Sequence, residues 1–324
     1  MSKQEVYIGN TTQKGVYKYV FIEGKLIQEY ETKDTGRCTY LTQNKTHLYG
    51  VTEIKDGSII SYEKDSGKLK YIGKNFSNGE GPCHIEIDDK NKVIFVSHYN
   101  NGVLAVFRIK ENGEVGEKIY SKVENARESR MHCIKTSIDN KYFFAVDLGK
   151  DRLTAYEIKE NTIKEIDNIE FKKNTQPRHI ALSKRNIYVI TEKSCELYKI
   201  KFSNQKLQIT DIVSLLPNDV EIKENYTGCA IKITKDFKNI YTTIRGHNSI
   251  SVYKINENAV ELIQNICCEG DLPRDLEIDK EEKYLLIANS NSNEIAVFKR
   301  NKNNGKLKFC YKENIVAPTC IIVE

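Results

Sequence analysis

The chain has 324 residues, with 50 lysines and arginines against 45 aspartates and glutamates and a net charge of +5. So even a balance excludes charge alone as an argument for nucleic acid or a membrane surface. No apolar run approaches the roughly 20 residues that span a bilayer, and MSKQEVYIGN lacks the basic-then-apolar pattern of a secretory leader, so a cytoplasmic chain is expected. The 9 cysteines are odd in number, follow no CxxC spacing and fall mostly inside apolar runs. That usage suits reduced, buried thiols, and neither zinc nor another cofactor is expected.

Taken in order, Glu5 to Thr12 reads as a strand, followed by a second over Gly15 to Ile22 and a turn at Glu23-Gly24-Lys25. A further unit starts near Cys38, ends its second strand at Glu53 and turns at Asp56-Gly57 into Ser58 to Tyr62. The third opens with GEGPCHIEID, where Gly79, Gly81 and Pro82 make a tight turn before Cys83-His84, and its second strand ends in SHYNNG from Ser97. The fourth opens at Arg130-Met131-His132-Cys133 and its second strand ends at Asp147-Leu148-Gly149.

QPRHIALSKRNIYVITE, Gln176 to Glu192, is a strand, a tight turn and a strand of alternating β-branched and aromatic residues. Antiparallel pairing places the start of the first beside the end of the second, so Arg178 and Glu192 share one end of the hairpin. The sixth unit opens at Gly228-Cys229-Ala230 and ends its second strand in Arg245-Gly246-His247-Asn248. The longer connection before it, Ser214 to Thr227, is expected to form a lid or rim loop. The seventh opens at Leu272-Pro273-Arg274-Asp275 and its second strand ends in Asn289-Ser290-Asn291.

These units are copies. Cys38, Cys83, His132, Arg178, Cys229, Arg274 and Thr319 fall at or next to equivalent positions of a first strand. Second strands recur at Val6, Leu48, Ile94, Phe143, Ile187, Ile240 and Leu285, and third strands carry an aromatic at Tyr19, Tyr62, Phe107, Tyr156, Tyr198, Tyr253 and Phe298. A period of roughly 40–50 residues with several strands each is the signature of propeller blades. The chain is therefore expected to be all-β, a seven-bladed β-propeller folding as one domain over residues 1–324. It begins with a second strand and ends with a first strand, so the C-terminal strand should complete the N-terminal blade and leave no open edge.

In a propeller the first strands line the central channel, and their starts lie at one mouth with the ends of the second strands. His84, His98, His132, Asp147, Arg178, His179, Glu192, Arg245, Arg274 and Asn289 occupy these positions. Polar groups converging on one end of an apolar scaffold are the default candidate site. His132, Arg178 and Arg274 each stand two residues before an apolar residue (Ile134, Ile180, Leu276), and equal register in a strand means equal direction. His84, His179 and Asp275 are one step later, where some should turn sideways into blade contacts. Two guanidiniums at a channel mouth suit a bound phosphate or carboxylate.

At these residues the chain resembles the seven-bladed lactonase family, the propeller-type 6-phosphogluconolactonases, with the related 3-carboxy-cis,cis-muconate lactonizing enzymes. The similar segments are YIGNTT, GEGPCHIEID, VSHYNNG, the His132 strand with DLGKDRL, QPRHIAL, IRGHNSISVYKI, GDLPRDLEID, IANSNSNEIAVF and VAPTCIIV, which span nearly the whole chain. The resemblance implies that His132, Arg178, Glu192 and Arg274 belong to the catalytic cleft, and His84, His98, Asp147, His179, Arg245 and Asn289 are candidates for substrate binding. The chain departs from the family's pattern at Cys229-Ala230-Ile231, where Ala-Glu-Ile is frequent, at Ile244 before Arg245-Gly246, at Thr191 before Glu192, and at Arg130-Met131-His132, where some relatives carry His-x-His.

The implied reaction is metal-independent hydrolysis of a sugar-acid lactone, first of all 6-phosphogluconolactone, within the pentose phosphate pathway. His132 or Glu192 would serve as base and the other as acid, while the arginines hold phosphate or an oxyanion. The expected partner is a phosphorylated or carboxylated lactone, with no nucleic acid or membrane, in a monomer or homodimer. Two other readings stay open: a lactonizing or lactone-opening enzyme for another carboxylated substrate, and a non-catalytic interaction propeller.

Overall fold

Short runs of β-branched and aromatic residues, each bounded by Gly, Asn or Asp, set the element lengths. The computed structural model describes residues 3–12, 14–32, 36–123, 125–159, 162–257 and 259–324, and among these the regular elements are strands. Seven four-stranded antiparallel sheets form the blades, each ordered from an inner strand through a second and third to an outer one. The inner strands are Pro318–Val323, Tyr40–Gln43, Pro82–Asp88, Met131–Thr136, Pro177–Leu182, Thr227–Ile233 and Pro273–Ile278, for blades one to seven. Blade one is built as the chain ends require. Pro318–Val323 pairs with Gln4–Asn10, with Ile8 opposite Ile321, and so closes the ring.

The apolar core lies between blades, one cluster to each gap. Tyr7 and Cys320 of blade one meet Leu41, Leu48 and Ile60 of blade two, and Val6 and Ile8 on the other face of blade one meet Leu286, Ala288 and Val297 of blade seven. The same holds around the ring, as where Phe144 and Val146 of blade four pack on Ile187 and Val189 of blade five. Second-strand tyrosines also reach across: Tyr49 and Tyr241 each donate their hydroxyl at 2.8 Å to a turn carbonyl of the next blade, Gly113 and Gly305. Ser214 to Thr227 is anchored at its start, is exposed over most of residues 218–225 and contributes no lining to the cleft at the channel mouth. Leu215 and Leu216 are buried, and the Leu215 amide bonds the Cys195 carbonyl at 2.8 Å.

One irregularity repeats and positions the site. The inner strand shifts register against the second strand between Pro82 and His84, Met131 and Cys133, Pro177 and His179, and Pro273 and Asp275. Each is a β-bulge with one extra residue on the inner strand. The extra residues are Cys83, His132, Arg178 and Arg274.

Candidate active site

The bulges bring the opening residues to a cleft of about 160 Å³ at one end of the channel, lined by His132, Arg178, His179, Glu192, Arg245 and Arg274 together with Tyr40, Glu53, Cys83, Tyr99 and Thr319. In a regular strand neighbours face opposite ways. The bulge at Arg178 lets both Arg178 and His179 line the same cavity.

Arg178 is buried and tied on three sides. Its Nε donates to Glu192 Oε2 at 3.0 Å, and its Nη1 donates to His179 Nε2 at 3.3 Å and to the Cys229 carbonyl. Arg245 Nη2 meets the same Glu192 Oε2 at 2.9 Å. Glu192 is thus a carboxylate between two guanidiniums, and neither of these contacts uses Oε1. Across the mouth, Arg274 Nη2 donates to Glu53 Oε2 at 2.9 Å, with both side chains about 30 % exposed. Three guanidiniums against two carboxylates leave the cleft one positive charge in excess, which favours an anionic ligand.

His132 stands 6.0 Å from the Tyr99 ring and 5.2 Å from the His179 ring. Burial, reinforced by the Arg178 guanidinium, holds its imidazole well below the usual histidine range. The same causes keep His179 neutral. Because a guanidinium can only donate, His179 accepts at Nε2 and carries its proton on Nδ1. Nδ1 of His132 is buried without a partner. A neutral imidazole with an uncommitted nitrogen beside guanidiniums can accept a proton while the cations hold negative charge.

Six of the ten residues singled out in the sequence meet in this cleft, and four do not. His84 is fully buried, 4.5 Å from the Tyr40 ring, and ties blade three to blade four: its Nδ1 accepts from the Ile134 amide at 3.5 Å and its Nε2 lies 3.4 Å from Cys133 Sγ. His98 is fully buried, donates Nδ1–H to the Val103 carbonyl at 2.9 Å and packs so closely under Gly79 that a Cβ there would stand 2.4 Å from its ring. Asp147 ties the loop before the inner strand, accepting from the Arg130 amide at 2.7 Å and from the Ser129 hydroxyl. Asn289 donates to the Cys268 carbonyl at 3.0 Å.

A single step along the strand separates the two groups. His98, Asp147 and Asn289 share their position in the second strand with Thr52 and Thr191, all of them buried. Thr52 and Thr191 likewise bind turn backbone, accepting from the amides of Ser58 and Glu196, each at 2.8 Å. The next position holds Glu53, Tyr99, Glu192 and Arg245, and these line the cleft. Sequence reasoning passed over Glu53, Tyr99 and Tyr40 as site residues. The signal for Glu53 was present, since Val51-Thr52-Glu53 repeats Ile190-Thr191-Glu192.

The family profile "Lactonase, 7-bladed beta-propeller" matches residues 5–324. A 6-phosphogluconolactonase of Bacillus subtilis is 29% identical over 99% of this chain and 98% of its own length, and one of Formosa agariphila is 28% identical over 96% of each. The periplasmic gluconolactonase of Pseudomonas aeruginosa superposes with a TM-score of 0.92 at 21% identity over 99% of each chain, which shows a shared fold.

Proposed function

The chain belongs to the seven-bladed lactonase family, and from that premise and the cleft we propose that it hydrolyses a sugar-acid lactone, 6-phosphogluconolactone in the first instance, to the open acid. The convergence of three guanidiniums and two neutral imidazoles on a single mouth carries the reading. The phosphate is held by Arg274, the most exposed of the three guanidiniums. Arg178 and Arg245, fixed by Glu192, face the lactone carbonyl and stabilise the oxyanion that forms as water attacks. His132, held neutral by its burial, is the base that takes the proton from that water. Glu192 is the orienter of the two arginines, and the proton that His132 takes from water passes to the departing ring oxygen as the carbonyl re-forms and the ring C–O bond breaks. The 6-phosphogluconolactonase names of the Bacillus and Formosa relatives support this substrate, as does the excess positive charge. A cytoplasmic role in the pentose phosphate pathway follows from it.

The test is hydrolysis of freshly prepared 6-phosphogluconolactone, followed by base consumption and corrected for the spontaneous reaction. Wild type should accelerate it strongly, and His132→Gln should lose kcat at least a hundredfold, the usual size of a general-base contribution. A wild-type rate equal to the spontaneous one removes this substrate. Carboxylated and unphosphorylated lactones, and muconate-type acids, then decide whether another lactone is the natural one.

A further inference from the structure

Tyr40 and His179 line the cleft on one side and a second cavity, of about 210 Å³, on the other. This far cavity follows the inner strands down the channel. Its polar lining is Lys135, Thr136, Lys232 and Asp275, and Ala181 and Ile231 form an apolar wall. Lys135 Nζ bonds Glu86 Oε2 and Lys232 Nζ bonds Glu277 Oε2, each at 2.7 Å. An ammonium has three donors, and each spends one there. The lining takes in both lysines and neither of those glutamates, so an occupant meets cations.

Asp275 supplies the second observation. It is 1 % exposed. Its Oδ2 accepts from the Ile321 amide at 2.9 Å, while its Oδ1 is buried with no partner. An unmet buried oxygen is destabilising, and a ligand that bonds it recovers that cost. Burial raises the carboxyl toward its protonated form. A hydroxyl serves it in either state, because it both donates and accepts.

We propose that the far cavity is a binding site for a small hydroxycarboxylate, its carboxylate between Lys135 and Lys232 and a hydroxyl on Asp275. Such acids are the chemical class that lactone hydrolysis releases, but the site does not depend on the reaction proposed above. Its occupant shares the Tyr40–His179 wall with the cleft, and His179 bonds Arg178 at 3.3 Å, so occupancy bears directly on the cleft.

The experiment is calorimetric titration of the full chain with gluconate, with the neutral polyol glucitol as control. Gluconate should bind wild type and Arg274→Ala alike, and bind Lys232→Gln at least tenfold more weakly. Lys135→Gln, which removes the other cation of the lining at a side chain one-third exposed, should weaken it as much and serves where Lys232→Gln fails to fold. Loss of binding in Arg274→Ala with retention in both far-cavity variants would show that the acid occupies the cleft alone and overturn the proposal. So would glucitol binding as tightly as gluconate, or no saturable binding to wild type. Because binding is read without turnover, an inactive but gluconate-binding protein would overturn the reaction and leave this site standing.

Discussion

Arg274→Ala separates binding from architecture. The pair that Arg274 makes with Glu53 is about 30 % exposed on both sides, and ion pairs of that exposure contribute roughly 0–1 kcal/mol. Its loss should therefore move the denaturant midpoint by less than about 1 kcal/mol equivalent. Its hydrogen bonds to a phosphate are another matter. A bond between charged groups is worth about 1.5–3 kcal/mol, so kcat/KM for 6-phosphogluconolactone should fall roughly 10- to 150-fold. The loss should sit mainly in KM, because phosphate binding is the same in ground and transition states. Unphosphorylated gluconolactone, which offers Arg274 nothing, should change by less than about threefold by the same measure. The assay is initial-rate hydrolysis of both lactones alongside urea unfolding of the variant. Equal losses on the two substrates, or a collapsed midpoint, would refute the assignment of Arg274 to the phosphate.

Three further outcomes follow from the same geometry. Glu192→Gln removes the negative charge between Arg178 and Arg245, of which Arg178 is buried; the surviving amide oxygen softens the loss, and urea midpoints should report about 1–3 kcal/mol of destabilisation, against almost none for Glu53→Gln. Burial holds His84, His132 and His179 well below the ordinary histidine range, and His98 down to about 4. Their unfolded forms take up protons first, so stability is full above about pH 6.5 and falls as pH drops toward 4, by up to about 1.4 kcal/mol per pH unit for each histidine; a stability that is flat from pH 7 to 5 would contradict those burials. Each blade face is buried only against its neighbour, so the ring should unfold as one unit, and circular dichroism and tyrosine fluorescence should give coincident urea transitions.

The blades were legible because each carries its own strand pattern and turns. Those are local properties, and seven copies in phase reinforce one another. Ring closure was legible for the same reason, since a chain that starts on a second strand and ends on a first has one way to pair them. Arg178 with Glu192 was legible as a hairpin end, and the structure adds the Glu192 amide bonded at 2.7 Å to the Gln176 carbonyl. His98, Asp147 and Asn289 show where the reading ran out. Their residue types suit a site, but each stands one step short of the position that faces the cleft.

Local patterning is enough for the seven blades, their order and which strand ends share a mouth, because hydrophobic alternation and turn chemistry act within a few residues. The direction each side chain takes at that mouth is set by the assembled ring. The bulges set Arg178 and His179 on one cavity, and closure of the ring brings Glu53 within 2.9 Å of Arg274, 221 residues away in the chain. Such pairings depend on the rotation of whole sheets about a common axis, and no local pattern encodes that rotation.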